Sequence, residues 1–334
     1  MLNTVVKNHS FGGYSFKVKN YDRVATDLYV DQPLTGVSIA YKNLDYIADL
    51  VLPRVMVKQE TGLIWKYGFE NFAIKDMQRG QKSKSKRSSY SVDTDTTYRI
   101  INYALSDVVT QGMRDMAVSP MQPETDTTEY LTNILALNKE YLVSSALFNT
   151  GSSGFSGYTE TLNNASVRYQ WDDYTNSTPI DDVEYAKVSK ISAASGATSD
   201  FAMIIGADVW LQLKNHPDIL ERIKYTQTGV ITEALVKEVM GIDNLYVGKA
   251  MYNSANEGQD PSLARLWGKY ALVYHKGSPA LKTSATAALI HGGNYVRKWT
   301  DNELRGATVI EVEEALQAKI LSARSGYLFS TAVA

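Results

Sequence analysis

The side chains that most often perform catalysis are few in this sequence and widely separated. Four histidines occur, none of them within one helical turn of another or of a suitable pair of carboxylates: His9, His216, His275 and His291. The HExxH pattern, which places two zinc ligands on one face of a helix, is absent. Because the chain has no cysteine, a disulfide scaffold, thiol catalysis and thiolate metal sites are excluded. These residues predict no catalytic residue and no metal site.

Carboxylates and glycines give no better indication of an enzyme. Adjacent acids occur at Asp172-Asp173, Asp181-Asp182 and Glu313-Glu314. Neighbours in sequence point to opposite faces of a strand and diverge on a helix, so these pairs favour solvation over paired acid–base chemistry. The spaced glycines between 151 and 157 follow a helix rather than a strand, which disfavours a phosphate-binding loop. We therefore predict no bound cofactor.

Composition indicates a folded, soluble chain with little net charge. The 334 residues are 44% hydrophobic and 21% charged, the balance of a protein that folds, and the length suits two or three subdomains. Lys and Arg total 34 and Asp and Glu total 36, so the formal net charge is −2. A nearly neutral chain has no global field with which to bind nucleic acid or an anionic membrane. The most apolar window, 201–213, is interrupted by Asp208 and too short to span a bilayer.

One segment is strongly basic and cannot pack in a core by itself. It runs from residue 79 to residue 87 without a carboxylate or a large apolar side chain, and its five cations are Arg79, Lys82, Lys84, Lys86 and Arg87. The stretches on either side, 55–67 and 89–103, have the composition of strands, with Thr61-Gly62 as a plausible turn. The pattern predicts a long two-stranded projection with a basic tip. An isolated hairpin is only marginally stable in water, so we expect a partner surface to hold it.

The basic tip has three possible roles. It could contact nucleic acid, as such clusters often do, or another subunit, or only solvent. No aromatic residue is interleaved with the cations for base stacking, and no second basic patch supports them. This favours an inter-subunit contact or a solvated loop over nucleic-acid recognition.

The clearest predicted helix begins after two prolines and is unusually long. Asp126-Thr-Thr-Glu129 has the pattern of a capping box. Tyr130, Ile134, Leu137 and Tyr141 form one apolar stripe at helical spacing, widened by Leu131, Leu135 and Leu142. A helix that reaches about Phe148 would be roughly 35 Å long. Few small domains contain a helix of this length.

The remaining segments predict an α+β protein with segregated strands and no internal repeat. The first 45 residues show no sustained period and predict an arm that becomes ordered on another surface, or a mobile terminus. Further helices are predicted at 179–194, 207–215, 217–224 and 232–240, and further strands at 201–206, 245–252, 266–274, 295–299, 308–314 and 327–332.

The order of these features resembles the major capsid proteins of tailed bacteriophages with the Hong Kong 97 fold. One resembling stretch is Tyr46-Ile-Ala-Asp-Leu-Val-Leu-Pro53-Arg-Val55, followed by the basic tip and Tyr90-Ser-Val-Asp-Thr-Asp. A second joins Gln170-Trp-Asp-Asp173 to Pro179-Ile-Asp-Asp-Val-Glu184. The third is Gly206-Ala-Asp-Val-Trp210 with His216-Pro-Asp-Ile-Leu-Glu-Arg-Ile-Lys-Tyr225. Together these stretches extend over most of the chain from about residue 46.

The resemblance implies an α+β, Hong Kong 97-like capsid fold divided into six parts. These are an N-terminal arm at 1–45, a segment at 46–59 that leads into the peripheral domain, an extended β-hairpin loop at 60–104, a peripheral domain with a long spine helix at 105–174, an axial domain at 175–282, and return strands of the peripheral domain at 283–334.

The resemblance also implies a structural role in a bacteriophage virion. Copies would assemble in the host cytoplasm as pentamers and hexamers and form an icosahedral capsid. The shell would enclose double-stranded DNA without sequence-specific binding and without membrane contact. No heptad segment precedes residue 46, so the resemblance implies a separate scaffolding protein or earlier cleavage, together with a portal and a decoration protein. The assembly-contact candidates are the five cations of the tip.

Three other functions are alternatives to a phage capsid. An encapsulin-like shell would share the fold but hold enzyme cargo instead of DNA. An autocatalytic shell would join a lysine, such as Lys82, Lys84 or Lys86, to an asparagine of a neighbour, but no matching asparagine and activating glutamate stand out. A soluble enzyme is disfavoured by every motif considered above.

Overall fold

The computed structural model describes residues 7–11, 14–18, 29–30, 46–67, 74–79, 84–89, 92–118, 121–163, 168–224, 231–256, 258–277, 285–301 and 306–334. Most of the predicted arm and Lys82 of the predicted tip lie outside this set. Within it, no helix is long and apolar enough to cross a bilayer.

Helices are found at most of the predicted places. They are α1 (Ala48–Val51), α2 (Gln111–Asp115), α3 (Pro123–Leu147), α4 (Pro179–Tyr185), which continues as a π-helix (Ala186–Ser192) into α5 (Ala193–Ser195), then α6 (Ala207–Leu213), α7 (Pro217–Ile223), α8 (Glu233–Val239) and a short 3-10 helix (Ala323–Ser325).

Sixteen strands occur in the described residues. They are β1 (Lys7–Phe11), β2 (Tyr14–Val18), β3 (Tyr29–Val30), β4 (Arg54–Met56), β5 (Thr61–Tyr67), β6 (Val92–Arg99), β7 (Ile101–Val109), β8 (Thr159–Thr161), β9 (Phe201–Gly206), β10 (Asn244–Gly248), β11 (Met251–Asn253), β12 (Leu263–Arg265), β13 (Ala271–His275), β14 (Ala287–Asp301), β15 (Ala307–Ile320) and β16 (Gly326–Ser330).

Two five-stranded sheets carry most of the fold. The first has the order β10-β9-β13-β16-β8 and is mixed, because β10 runs parallel to β9 and β8 parallel to β16. The second has the order β3-β14-β15-β7, with β4 added in parallel to the start of β14. Strands β1 and β2, β5 and β6, and β11 and β12 form three separate antiparallel pairs. The class is α+β, as predicted.

The first sheet is covered on both faces. Every residue of β9 is buried; Phe201, Met203 and Ile205 face one apolar cluster, and Ala202 and Ile204 face another. This is the near-continuous apolar pattern expected of a strand with two covered faces. The first cluster contains α4, α6, α7 and α8, and the second contains α1 and the end of α3.

The second sheet is held to α3 through a change of register. β14 has an irregularity between His291 and Gly293, and one extra residue exchanges the two faces of a strand. Leu289, before it, and Val296, after it, therefore both belong to clusters that contain α3. The long β14–β15 hairpin thus presents an apolar face to the helix along most of its length.

Several predicted turns and element boundaries were wrong. Thr61-Gly62 lies at the start of β5, and the bend that precedes this strand is at 58–60. Helix α3 begins at Pro123 after Gln122, so Asp126-Thr-Thr-Glu129 is inside it and is not a capping box; Asp126 instead accepts from the Gln122 amide at 3.2 Å. The predicted strand 245–252 spans two strands, because β10 ends at Gly248 and β11 begins at Met251. The predicted strand 266–274 is shorter, since β13 begins at Ala271.

Candidate assembly surfaces

The predicted loop is a β-hairpin with a buried base. Strands β5 and β6 pair in antiparallel register, with Gly62 opposite Tyr98 and Ile64 opposite Thr96. Ile64 and Tyr98 are buried in a cluster with Ile290 of the second sheet. On the opposite face of the hairpin, Leu63 and Trp65 are about half exposed. The base is therefore anchored in the core of its own chain.

Beyond the strands, the two arms of the loop stay in contact with each other. Lys75 Nζ donates to Ser88 Oγ at 2.5 Å, and Lys86 Nζ bonds Asp76 Oδ2 at the same distance. Asp76 Oδ1 also accepts from the Gln78 amide at 3.0 Å. The hydrogen bonds from Lys86 and Gln78 hold the pKa of Asp76 below its usual range. These contacts keep the exposed tip as a two-armed structure.

Of the predicted contact residues, Arg79, Lys84, Lys86 and Arg87 are exposed at this tip. The structure gives Lys86 a partner, Asp76, that lies just outside the basic segment. Two apolar side chains were not singled out from the sequence: Ile74 is fully exposed and Met77 is 83% exposed. The two side chains add apolar area to the basic tip and make it a candidate contact surface.

The outer face of α3 is also apolar. The predicted apolar stripe of Tyr130, Ile134, Leu137 and Tyr141 is only partly covered. Tyr130 is 59% and Tyr141 52% exposed, whereas Leu131 and Leu135, which widen the stripe, are buried. The packed face consists of Leu131, Leu135, Val143 and Leu147 together with small polar residues and Glu140. Both faces of the helix are thus apolar, which is the pattern of a helix that is covered on all sides.

Charge is scarce on this helix beyond its first two turns. From Tyr130 to Leu147 its charged residues are Lys139 and Glu140, and Lys139 has a side-chain exposure of 12% while Glu140 is fully buried. The ring of Tyr141 lies 6.4 Å from that of Tyr252 in β11. The apolar surface of the helix therefore continues onto the β11–β12 hairpin, where Met251 and Leu263 are exposed.

Glu140 joins three distant parts of the chain in the core. Its carboxylate accepts from the backbone amides of Ile47 and Ala48 at 3.0 and 2.7 Å, and from Trp267 Nε1 at 2.7 Å. Residue 47 precedes α1 and supplies no side-chain cap, so Glu140 caps this helix from another element. Burial raises the pKa of Glu140, and the three hydrogen bonds offset this only in part.

A chain of ionic contacts lies beside Glu140 on the same helix. Lys139 Nζ is 3.1 Å from Asp49 Oδ2 and 3.1 Å from Glu314 Oε1, and Glu314 is 3.3 Å from His291 Nε2. Asp49 also pairs with Arg54 at 2.6 Å. Burial alone would raise the pKa of Glu314, but the His291 hydrogen bond and the Lys139 charge lower it overall. These contacts tie α1, α3 and the second sheet together.

The sequence did not indicate these buried contacts. The partners of Glu140 are 92, 93 and 127 residues away along the chain, a distance that local periodicity does not reach. A usable signal existed in the acid itself, because Glu140 and the neighbouring Lys139 are the only charged residues between Tyr130 and Leu147. Within the described ranges, no group of three or more His, Asp or Glu side chains could hold a metal ion.

Known proteins resemble this chain both in sequence and in fold. It is 30% identical over 318 residues to a major capsid protein of Pseudomonas phage JBD67, covering 91% of this chain and 97% of that one. A major capsid protein of Burkholderia phage BcepMu is 28% identical over 227 residues, 67% of this chain and 70% of that one. No family model matches the chain.

Solved structures give the same result for the fold. A phage-related protein from Bordetella bronchiseptica superimposes with a TM-score of 0.71 at 21% identity, over 91% of this chain and 98% of that one. The mature capsid of bacteriophage PhiM1 gives a TM-score of 0.52 at 12% identity, over 87% and 88%. A virus-like particle from Pyrococcus furiosus gives 0.53 at 13% identity, over 89% and 96%.

The fold is thus that of phage capsids and related shells. The sequence relationship to JBD67 extends over nearly the whole of both chains, and the chain therefore belongs to the family of phage major capsid proteins with the Hong Kong 97-like fold.

Proposed function

We propose that this protein assembles as pentamers and hexamers into an icosahedral shell that encloses double-stranded phage DNA, and that it has no catalytic activity. Membership of the capsid family supports a structural role in the virion. The net charge of −2 also suits a container, because a strongly cationic lining would bind DNA tightly through counterion release. An encapsulin-like shell with enzyme cargo is the less favoured alternative, since the relatives are phage capsid proteins.

We further propose that the basic loop tip docks on the outer face of α3 in a neighbouring copy. This proposal rests on two exposed surfaces of the chain that are complementary in apolar character and in charge. The tip presents Ile74 and Met77 with its cations, and α3 presents its apolar stripe next to the exposed acids Asp126 and Glu129. When one surface of a subunit binds a different surface of an identical subunit, the contact is heterologous. Such contacts form a closed ring when the rotation between neighbouring subunits permits it.

The length of the loop allows a contact with a neighbouring copy. Helix α3 has 25 residues and is therefore about 37 Å long. The loop continues for ten residues beyond Tyr67 to Met77, which corresponds to at most ~33–36 Å of extended chain. The tip can therefore reach a surface well outside its own subunit.

The six-part division given by the family resemblance is also retained as a proposal. In it α3, β14 and β15 lie in the peripheral domain, and the segment 175–282 forms the axial domain. Strands β8 and β16 add to the sheet of the axial segment from outside its boundaries. A scaffolding protein, a portal and a decoration protein are the proposed partners, and the host cytoplasm is the proposed place of assembly.

Deletion of residues 73–89 tests the role of the loop. We expect the variant to retain the folded core, because Ile64 and Tyr98 at the base of the hairpin remain, but to form no closed particles. Circular dichroism and thermal unfolding measure the fold, and sedimentation with electron microscopy measures assembly. Normal closed particles from the deletion variant would show that the loop is not needed for assembly.

A charge variant separates the cations from the loop as a whole. Lys84→Glu with Arg87→Glu reverses two exposed charges and is expected to weaken assembly, more so at low ionic strength, where electrostatic contacts are screened least. Lys84→Arg with Arg87→Lys keeps the charge and is the matched control. Equal particle yields from both variants would contradict an electrostatic contribution from the tip.

A further inference from the structure

His216 lies at the start of a helix and is buried. It is the N-cap residue of α7, and its Nδ1 accepts a hydrogen bond from the Asp218 amide at 3.2 Å. A side-chain acceptor at this position satisfies one of the unpaired amides of the first helical turn. Accepting this bond requires that Nδ1 carry no proton.

The other nitrogen of the ring is equally constrained. His216 Nε2 lies 2.9 Å from Ser177 Oγ. The Ser177 hydroxyl donates its single proton to the Asp173 carbonyl oxygen at 2.6 Å. The hydroxyl therefore accepts from Nε2–H, and the imidazole is held as the neutral tautomer with its proton on Nε2.

These contacts join the starts of two helices. Ser177 directly precedes the residues that begin α4, and Asp218 Oδ2 accepts from the Ile180 amide in the first turn of α4 at 3.4 Å. The edge of the His216 ring faces the Tyr174 ring with a centroid distance of 5.4 Å. The start of α4 and the start of α7 thus depend on one neutral histidine.

Most of the titratable groups near the His216 ring are engaged in hydrogen bonds of their own. The titratable groups around it are Asp218 in α7 and Asp173 and Tyr174 in the turn before α4. The Asp173 carboxylate is occupied by Asn176 Nδ2 at 2.9 Å and by two backbone amides. Tyr174 donates its hydroxyl proton to Gln212 at 2.6 Å. Asp218 is the acid whose charge favours a protonated ring.

We propose that His216 is an acid-sensitive joint that holds α4 against α7 while its imidazole is neutral and releases the two helix starts when Nδ1 is protonated. Protonation would place an N–H opposite the Asp218 N–H and a cation at a helix N-terminus, where positive charge is unfavourable. The joint depends on contacts within one subunit and does not involve the loop tip.

The direction of the pH effect follows from the burial of the ring. Burial lowers the pKa of His216 below 6.5, and the charge of Asp218 offsets this only in part. At pH values between the pKa of His216 in the closed joint and its pKa of 6.5 in the released state, the released state binds more protons. Closure is therefore complete above pH 6.5 and is lost as the pH falls towards the folded pKa.

Hydrogen exchange of the full-length chain, analysed by mass spectrometry, tests the joint. We expect peptides from 173–183 and 216–223 to lose protection between about pH 7.5 and about pH 5, after correction for the intrinsic rate, by up to roughly tenfold per unit of pKa depression. A peptide over 271–277, which contains His275, is the internal reference and should keep its protection. Equal corrected protection of all three peptides at both pH values would overturn the proposal.

Two variants assign the effect to the ring. His216→Asn retains a neutral acceptor at the N-cap position and is expected to remove the acid-induced loss. His275→Asn changes a histidine whose Nδ1 contacts the Ser199 carbonyl oxygen, and it should behave as the wild type. An unchanged acid response in His216→Asn would show that another group is responsible. If His216→Asn does not fold, equal protection of the three wild-type peptides at both pH values still overturns the proposal.

Discussion

Trp267 Nε1 donates a hydrogen bond of 2.7 Å to Glu140 Oε1, and both side chains are fully buried. The bond links the C-terminal half of α3 to the turn between β12 and β13. Because the same carboxylate caps α1, one acid connects three segments of the chain. A buried acceptor with three donors is costly to remove, since each donor then lacks a partner.

We expect Glu140→Gln to destabilise the fold by about 1–3 kcal/mol. The glutamine oxygen can accept from one or two of the three donors, but its NH2 group then faces another N–H without an acceptor. Urea unfolding of the unassembled chain measures the change. Glu129→Gln alters an exposed acid on the same helix and should remain within about 0.5 kcal/mol of wild type. Equal stability of the two variants would contradict the role assigned to Glu140.

Local patterns in the sequence were sufficient for most elements. The helix at 217–223 begins at the expected proline, the helix at 233–239 begins after Thr232, and β9 was expected at the residues where it is found. Each of these depends on signals within a few residues. The hairpin of the loop was also predicted, because a charged segment between two β-rich stretches is itself a local pattern.

Local patterns left two features of α3 undecided: which part of its apolar surface is covered, and at which residue it begins. The predicted stripe through Tyr130 and Tyr141 was widened by Leu131 and Leu135, and contact with the second sheet buries the side that carries these two leucines. Periodicity gives the existence of an apolar face, whereas the tertiary fold decides what covers it. The Asp126 pattern failed for a related reason, since Pro123 is an equally good helix start.

We expect Gly206→Ala to destabilise the fold by about 1–3 kcal/mol. A Cβ at Gly206 would overlap the carbonyl oxygen of Gly268, which is backbone and cannot rotate away. Gly112 in α2 is the matched control, because a Cβ there meets no atom within 4 Å. Gly112→Ala should be neutral or stabilising by about 0.4–1 kcal/mol, through reduced entropy of the unfolded chain. Thermal unfolding separates the two outcomes, and similar midpoints would contradict the close approach at Gly206.

Glu314 should contribute stability that is lost in acid. Its pKa is lowered in the fold from 4.5, so the unfolded chain binds more protons in the window below pH 4.5. The contribution is therefore complete above pH 4.5 and declines as the pH falls through the folded pKa. We expect Glu314→Gln to be less stable than wild type at neutral pH and to lose less stability between about pH 5 and about pH 3. Calorimetric unfolding midpoints across this range test the slope, with the exposed Glu238→Gln as control.

The outer face of α3 should be required for assembly and dispensable for folding. Tyr130→Asp with Tyr141→Asp introduces two charges at positions that are more than half exposed in the single chain, so the free energy of unfolding should change by no more than about 0.5 kcal/mol per site. In a neighbour contact, the same charges would be buried without partners, which is strongly unfavourable. We expect no closed particles by electron microscopy, whereas Tyr130→Phe with Tyr141→Phe retains both rings and should assemble. Particles of normal size and yield from the aspartate variant would mean that this face remains open to solvent in the shell.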